Sequence, residues 1–181
     1  MALVLNGDGN ITGLTAGGLP DATITQADLA AGVAGNGPAF SAWKYANQTL
    51  TNATWTKVIL AQENFDTASC FDNSTNYRFT PNVAGYYQIN FAVYAGSGQN
   101  IAVQGAIYKN GSEWARVNNY ATGSYLDDWG VYGSVLLYLN GTSDYIELYA
   151  WTNGTSTLDG ASTSSVPYYV SRMEGFLARA A

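Results

Sequence analysis

The chain has no histidine and one cysteine, Cys70, among its 181 residues. Nucleophilic triads need a base such as imidazole, and zinc sites need clustered Cys and His, so both chemistries are excluded. A lone Cys forms no intrachain disulfide, and Cys70 is expected to be a small buried hydrophobe. Cations are scarce too. Seven Lys and Arg against thirteen Asp and Glu leave a net charge of −6, with no basic run. Nucleic-acid binding and polybasic membrane contact both need a basic footprint, so neither is expected. No stretch approaches the ~20 apolar residues of a membrane span. The opening Met-Ala-Leu-Val-Leu-Asn-Gly-Asp-Gly has no positive n-region, and its apolar run stops early. No signal peptide is read there, and synthesis in a host cytoplasm is expected. The Asn-x-Ser/Thr sequons at Asn47, Asn52 and Asn110 are then chance in a Thr-rich chain.

What is present points to β-structure. Charged residues are only 11% of the chain, well under the ~25% usual for globular domains. Polarity comes instead from Asn, Thr, Ser, Gly and Tyr. Tyr and Thr favour strands, while Gly and Asn favour the turns between them. Residues 1–38 contain no Trp, Tyr, Phe, Lys or Arg, and so lack the large side chains that build a core. They read as an arm that orders against something else. Within it, residues 4–12 carry the turn formers Asn6-Gly7 and Asp8-Gly9 and read as a hairpin. Thr25-Gln-Ala-Asp28 resembles a capping box ahead of a short helix. Asn36-Gly37-Pro38 marks the boundary.

Strand-like runs then recur at residues 39–45, 56–61, 77–80, 85–94, 101–109, 112–118, 130–139, 144–152 and 168–179. Residues 85–94 alternate, with Tyr87, Ile89, Phe91 and Val93 on one face. Asn110-Gly111 is the strongest two-residue hairpin signal. Residues 131–139 carry aliphatics on both faces; one face should fill the sandwich and the other meet a trimer axis. About ten strands without a convincing helix predict two packed sheets.

The residues from 38 to 179 resemble the globular head of complement C1q, within the tumour necrosis factor jelly rolls. Pro38-Ala-Phe-Ser-Ala42 is similar to the family's opening strand. Asp66, Phe71, Phe79, Gly85, Tyr87 and Phe91 follow its diagnostic spacing, most specifically as Phe79-x5-Gly85-x-Tyr87-x-Ile89-x-Phe91. Tyr108-Lys-Asn-Gly111 is similar to its central hairpin. Residues 133–139 and 144–149 match its late strands, and Gly175-Phe176-Leu177 matches its close. Ile89 stands where the family has an aromatic and Leu60 where it has Phe. The gap from Phe71 to Phe79 is one residue longer, and no collagen-like stalk occurs in the sequence. The resemblance implies an all-β C1q/TNF-like jelly-roll sandwich and a homotrimer. It also implies that the signature residues Phe40, Phe71, Phe79, Gly85, Tyr87, Phe91, Gly111 and Phe176 fill the core or fix turns. The arm, through Ile11–Pro20 and Ile24–Leu29, looks like linker segments of bacteriophage fibre and virion-surface proteins.

Residues 118–129 combine Tyr120, Tyr125 and Trp129 with amides and the acids Asp127 and Asp128. Rigid aromatics beside polar groups suit a neutral glycan, because rings stack on C–H faces while amides and acids read hydroxyls. Trp151 and Asn153 form a second candidate of the same kind. The alternative is that these aromatics pack in a core or at a subunit interface. Asp127-Asp128 is the only adjacent acidic pair; successive strand residues point to opposite faces, which argues against a glycosidase pair. Asp127, Asp128, Asp144 and Asp159 are calcium candidates by residue type alone, without a calcium-loop spacing. No catalytic residue, metal ligand or cofactor is otherwise assigned, and the chain is read as a non-enzyme.

The function expected is that of a virion structural protein. It would be a trimeric tail-fibre or head-fibre knob, docked to other virion proteins by residues 1–38 and touching host-surface glycan. A capsid decoration protein of the same fold and a soluble C1q-like lectin are the alternatives.

Overall fold

The computed structural model describes residues 4–5, 11–12, 36–95, 102–120, 129–158, 160 and 171–181. For residues 4–5, 11–12, 119, 120 and 129 it describes the backbone alone. The chain divides into two compact units, residues 1–30 and 31–181. The first unit contains a hairpin, as expected: β1 (Val4–Leu5) pairs antiparallel with β2 (Ile11–Thr12). The helix expected after Thr25 lies outside the described residues.

The second unit is a β-sandwich of thirteen strands, with no helix among the described residues. One sheet runs β4 (Gln48–Leu50), β14 (Ser156–Leu158), β9 (Gly85–Ala95), β15 (Arg172–Ala180), β3 (Ala39–Trp43), β6 (Gln62–Asp66). Alongside β9 lies β12 (Trp129–Leu139). The other sheet runs β11 (Ser112–Tyr120), β10 (Ala102–Lys109), β13 (Ile146–Thr152), β8 (Arg78–Phe79), β7 (Phe71–Asp72), with β5 (Thr56–Lys57) beside β13. The long strands β9, β10, β11, β12, β13 and β15 lie where strand-like runs between turn signals predict them. The strand count exceeds ten because pieces of two to five residues line the margins. Run 56–61 keeps Val58 and Leu60 buried but ladders only at Thr56–Lys57.

The period-2 pattern of β9 builds the core. Tyr87, Ile89, Phe91 and Val93 all face inward and are buried. Phe40 stacks between Phe71 and Phe79, with centroids 5.1 and 4.3 Å away, and Tyr87 meets Phe79 edge-on at 5.5 Å. The Tyr87 hydroxyl donates to the Val83 carbonyl at 2.7 Å, so the ring is buried without orphaning its polar tip. Burial pushes that phenol far above its usual range. Gly85 is buried against β15, where a Cβ would come within 2.5 Å of the Arg179 carbonyl. Cys70 is buried in the same core, and burial raises its thiol.

Two turns carry the expected chemistry. Asn110 and Gly111 both take positive φ, 52° and 78°, the conformation that two-residue hairpin turns require. The Asn110 amide donates to Asp144 at 2.7 Å, and its carbonyl accepts the Tyr145 N–H at 2.9 Å. The hairpin is thereby tied to the β12–β13 turn.

One signature residue departs from its expected place. Phe176 is 49% exposed rather than in the core. Its neighbours Gly175 and Leu177 are buried, so the strand's alternation turns Phe176 outward.

Candidate functional site

Among the described residues, five of the nine exposed large apolar side chains, Tyr86, Tyr132, Leu136, Tyr138 and Phe176, lie on the outward face of the larger sheet. Register fixes the rows. Tyr86 lies opposite Tyr138; Gln88 sits between Leu136 and Phe176; Asn90 between Ser134 and Glu174; Ala92 between Tyr132 and Arg172. Tyr132 is 59% exposed and Leu136 55%. Tyr86 meets Tyr138 edge-on at 5.7 Å, and Tyr132 meets Tyr94 at 5.5 Å, so the rings are held in place. Apolar side chains thus cap both ends of the face, with a polar belt between. In that belt Gln88 donates to the Ser134 hydroxyl at 2.6 Å, and Ser134 donates to Asn90 at 3.0 Å. Arg172 and Glu174 lie 3.4 Å apart. At one end Tyr86, Leu136 and the last residues, 178–181, line a groove of about 570 Å³.

This face has two properties of an interface core, exposed aromatics and internally satisfied polar groups. From sequence, the outer positions of residues 131–139 are expected to meet a neighbour, whereas Tyr86 does not stand out. The signal was present in Tyr86-x-Gln88-x-Asn90, which alternates opposite the core residues.

Of the residues proposed for ligand binding, the structure describes Trp151, Asn153 and the backbone of Tyr120 and Trp129. The register pairs Ala102 with Tyr120, and Asn153 accepts the Ala102 N–H at 2.7 Å. The end of β11 and Asn153 therefore meet at one end of the smaller sheet. Trp129 begins β12. Tyr125, Asp127, Asp128 and Asp159, and the side chains of Tyr120 and Trp129, lie outside the described residues. Trp151 lies part-buried on the outward face of β13.

Asp144 sits at the other end of β13 and is already engaged. It takes the Asn110 amide and the Asn140 N–H, and Lys109 Nζ lies 3.0 Å from it. The Asn110 hydrogen bond, helped by Lys109, holds this carboxyl below its usual range. These contacts brace the turn between β12 and β13. Among the described residues no group of three or more acidic or thiol side chains gathers to hold a metal ion. No helix there is long and apolar enough to cross a membrane.

The solved structures similar to this chain carry the same sandwich. The globular domain of zebrafish complement 1qA protein matches with a TM-score of 0.53 at 16% identity, over 80% of this chain and 99% of that one. The fold is the C1q/TNF jelly roll. Eiger TNF from S. frugiperda matches this jelly roll with a TM-score of 0.58 at 8% identity, over 80% and 95% of the two chains. The PRD1 vertex protein P5 matches with a TM-score of 0.53 at 14% identity, over 78% and 97%. No family model and no curated protein sequence matches the chain.

Proposed function

We propose that the chain is a virion structural protein. In this reading three C1q-like heads associate through the outward face of the β12–β9–β15 sheet to form a fibre knob. Residues 1–38 join it to other particle proteins, and the head touches the host surface. The observation that carries the reading is the ordered apolar face of Tyr86, Tyr132, Leu136, Tyr138 and Phe176. Water contact with so many large apolar groups is costly, and a second copy of the same face and its edge removes them from water. The likeness to a vertex protein supports a place on a particle. The role is one of binding and assembly, without catalysis.

Sedimentation equilibrium tests the assembly. The chain is expected at three times its 19.3 kDa mass. Leu136→Asp, which sets a charge in the apolar end of the face, is expected to give a folded monomer. A wild-type monomer, or a trimer indifferent to Leu136→Asp, would sink the interface. Attachment is tested with particles lacking the protein. Full-length chain is expected to bind them and a 39–181 chain to remain a free trimer. Particle binding by the truncated chain would refute the arm's role.

A further inference from the structure

The smaller sheet turns a different face to solvent. Register sets Tyr108 and Glu113 across from each other on β10 and β11, and Arg116 across from Ala106. On the other side Tyr149 lies opposite Ala106, and Trp151 opposite Gln104. Trp55, just before β5, reaches over the same surface. Its ring lies 6.0 Å from Tyr108, and the Arg116 guanidinium sits 5.3 Å above it. Tyr108 and Tyr149 stack at 4.0 Å. Ala106, pointing outward among these groups, is wholly buried, so the larger side chains close over it into a continuous floor.

The charges on this floor cancel locally. Arg116 clasps Glu113 through three hydrogen bonds of 2.7–2.9 Å and also reaches Gln104 at 3.4 Å. Lys57 pairs with the buried Glu147 at 2.6 Å. An anionic ligand finds its cations already paired, and a cationic ligand finds its carboxylates taken. Part-exposed Trp and Tyr rings remain, edged by a guanidinium–carboxylate pair and an amide. Rings of this kind stack on the C–H faces of a sugar, while the fixed polar groups read its hydroxyls.

We propose that this outer face, built on Trp55, Tyr108, Tyr149, Gln104 and Arg116, binds a neutral glycan. It lies on the sheet opposite the assembly face, so it stays open in the trimer, and in that respect the inference rests on the proposed function. It moves the sugar contact from the 118–129 loop to a rigid strand platform, of which Trp151 forms one margin. Strand-borne groups hold position better than loop-borne ones, which lowers the ordering cost of binding.

The test uses the full-length chain on an array of neutral hexose and N-acetylhexosamine hexasaccharides with their sulfated and sialylated counterparts. Titration calorimetry then follows on the best binder. At least one neutral member is expected to bind saturably. Trp55→Ala is expected to weaken binding at least tenfold and Arg116→Gln at least threefold, with the sedimentation mass unchanged. Arg116 is well exposed, so its variant should fold even if the tryptophan variant does not. No binding, preference for the charged members, or binding that neither variant weakens would each overturn the platform. A trimer that binds no neutral sugar overturns this inference alone. A monomer that binds overturns the trimer alone.

Discussion

Phe91→Ala is expected to cost about 4–5 kcal/mol per chain, the upper part of the ~3–5 range for deleting a buried aromatic. The reason lies in what surrounds the ring. Phe91 is nearly fully buried on β9, directly across from Gly133 on β12. A Cβ on Gly133 would sit 2.2 Å from the ring, and one on Gly105 would sit 3.2 Å away. Two glycines therefore leave the space that the ring fills. Neither has a side chain that could move into the void, so the cavity stays open and its full cost is paid. Urea unfolding of both chains, compared at equal protein concentration, measures it. A loss below about 1 kcal/mol would place Phe91 outside the core and undo the facing assigned to β9.

Lys44→Met is expected to act in the opposite direction, stabilising the chain by about 2 kcal/mol at pH 7. Lys44 follows β3 and is 1% exposed. Its ammonium donates to Gln48 at 3.2 Å, and among the described residues no carboxylate forms an ion pair with it. Burial lowers its pKa from 10.5 to about 8. Below pH 8 the folded chain therefore carries a buried charge that the unfolded chain would hydrate. The full shift corresponds to roughly 3 kcal/mol, and the Gln48 bond and local relaxation reduce it. Methionine has similar length and needs no partner. The Gln48 carbonyl oxygen keeps the Ile59 N–H at 3.1 Å, so removing the amine orphans nothing. The pH dependence follows from the sign. Between pH 8 and 10.5 the unfolded state binds more protons, so wild-type stability rises with pH across that window. The gap to Lys44→Met should narrow over the same window and nearly close by pH 10.5. A destabilised methionine variant, or a gap constant from pH 7 to 10, would mean that Lys44 is solvated or paired.

These two residues mark what could and could not be read without coordinates. Phe91 was legible because alternation on a strand is a local property, and 85–94 repeats it without a break. The Asn110-Gly111 turn was legible because only a few residues tolerate positive φ. Lys44 was not, since nothing around it in sequence predicts that a lysine at a strand end will be enclosed. The short strands β4, β6, β7 and β14 were also missed. Gln-Thr-Leu and Gln-Glu-Asn-Phe-Asp have no apolar period, and only the neighbours they pair with make them strands.

The candidate surfaces divide in the same way. Residues 131–139 announced a second apolar face by themselves, whereas Phe176 was assigned to the core by resemblance. Its orientation depended on β15 pairing with Gly175 and Leu177 inward. Trp55, Tyr108, Tyr149 and Arg116 are spread over almost a hundred residues, and no spacing joins them. By itself the sequence determined an all-β chain, its long strands and its tight hairpin, and its resemblance to the C1q heads implied the jelly roll. The strands and the hairpin follow from composition and from periods of two, which short-range sterics impose on every strand. Only the tertiary structure decided which outward side chains share a face, because strand register brings together residues that the chain keeps far apart.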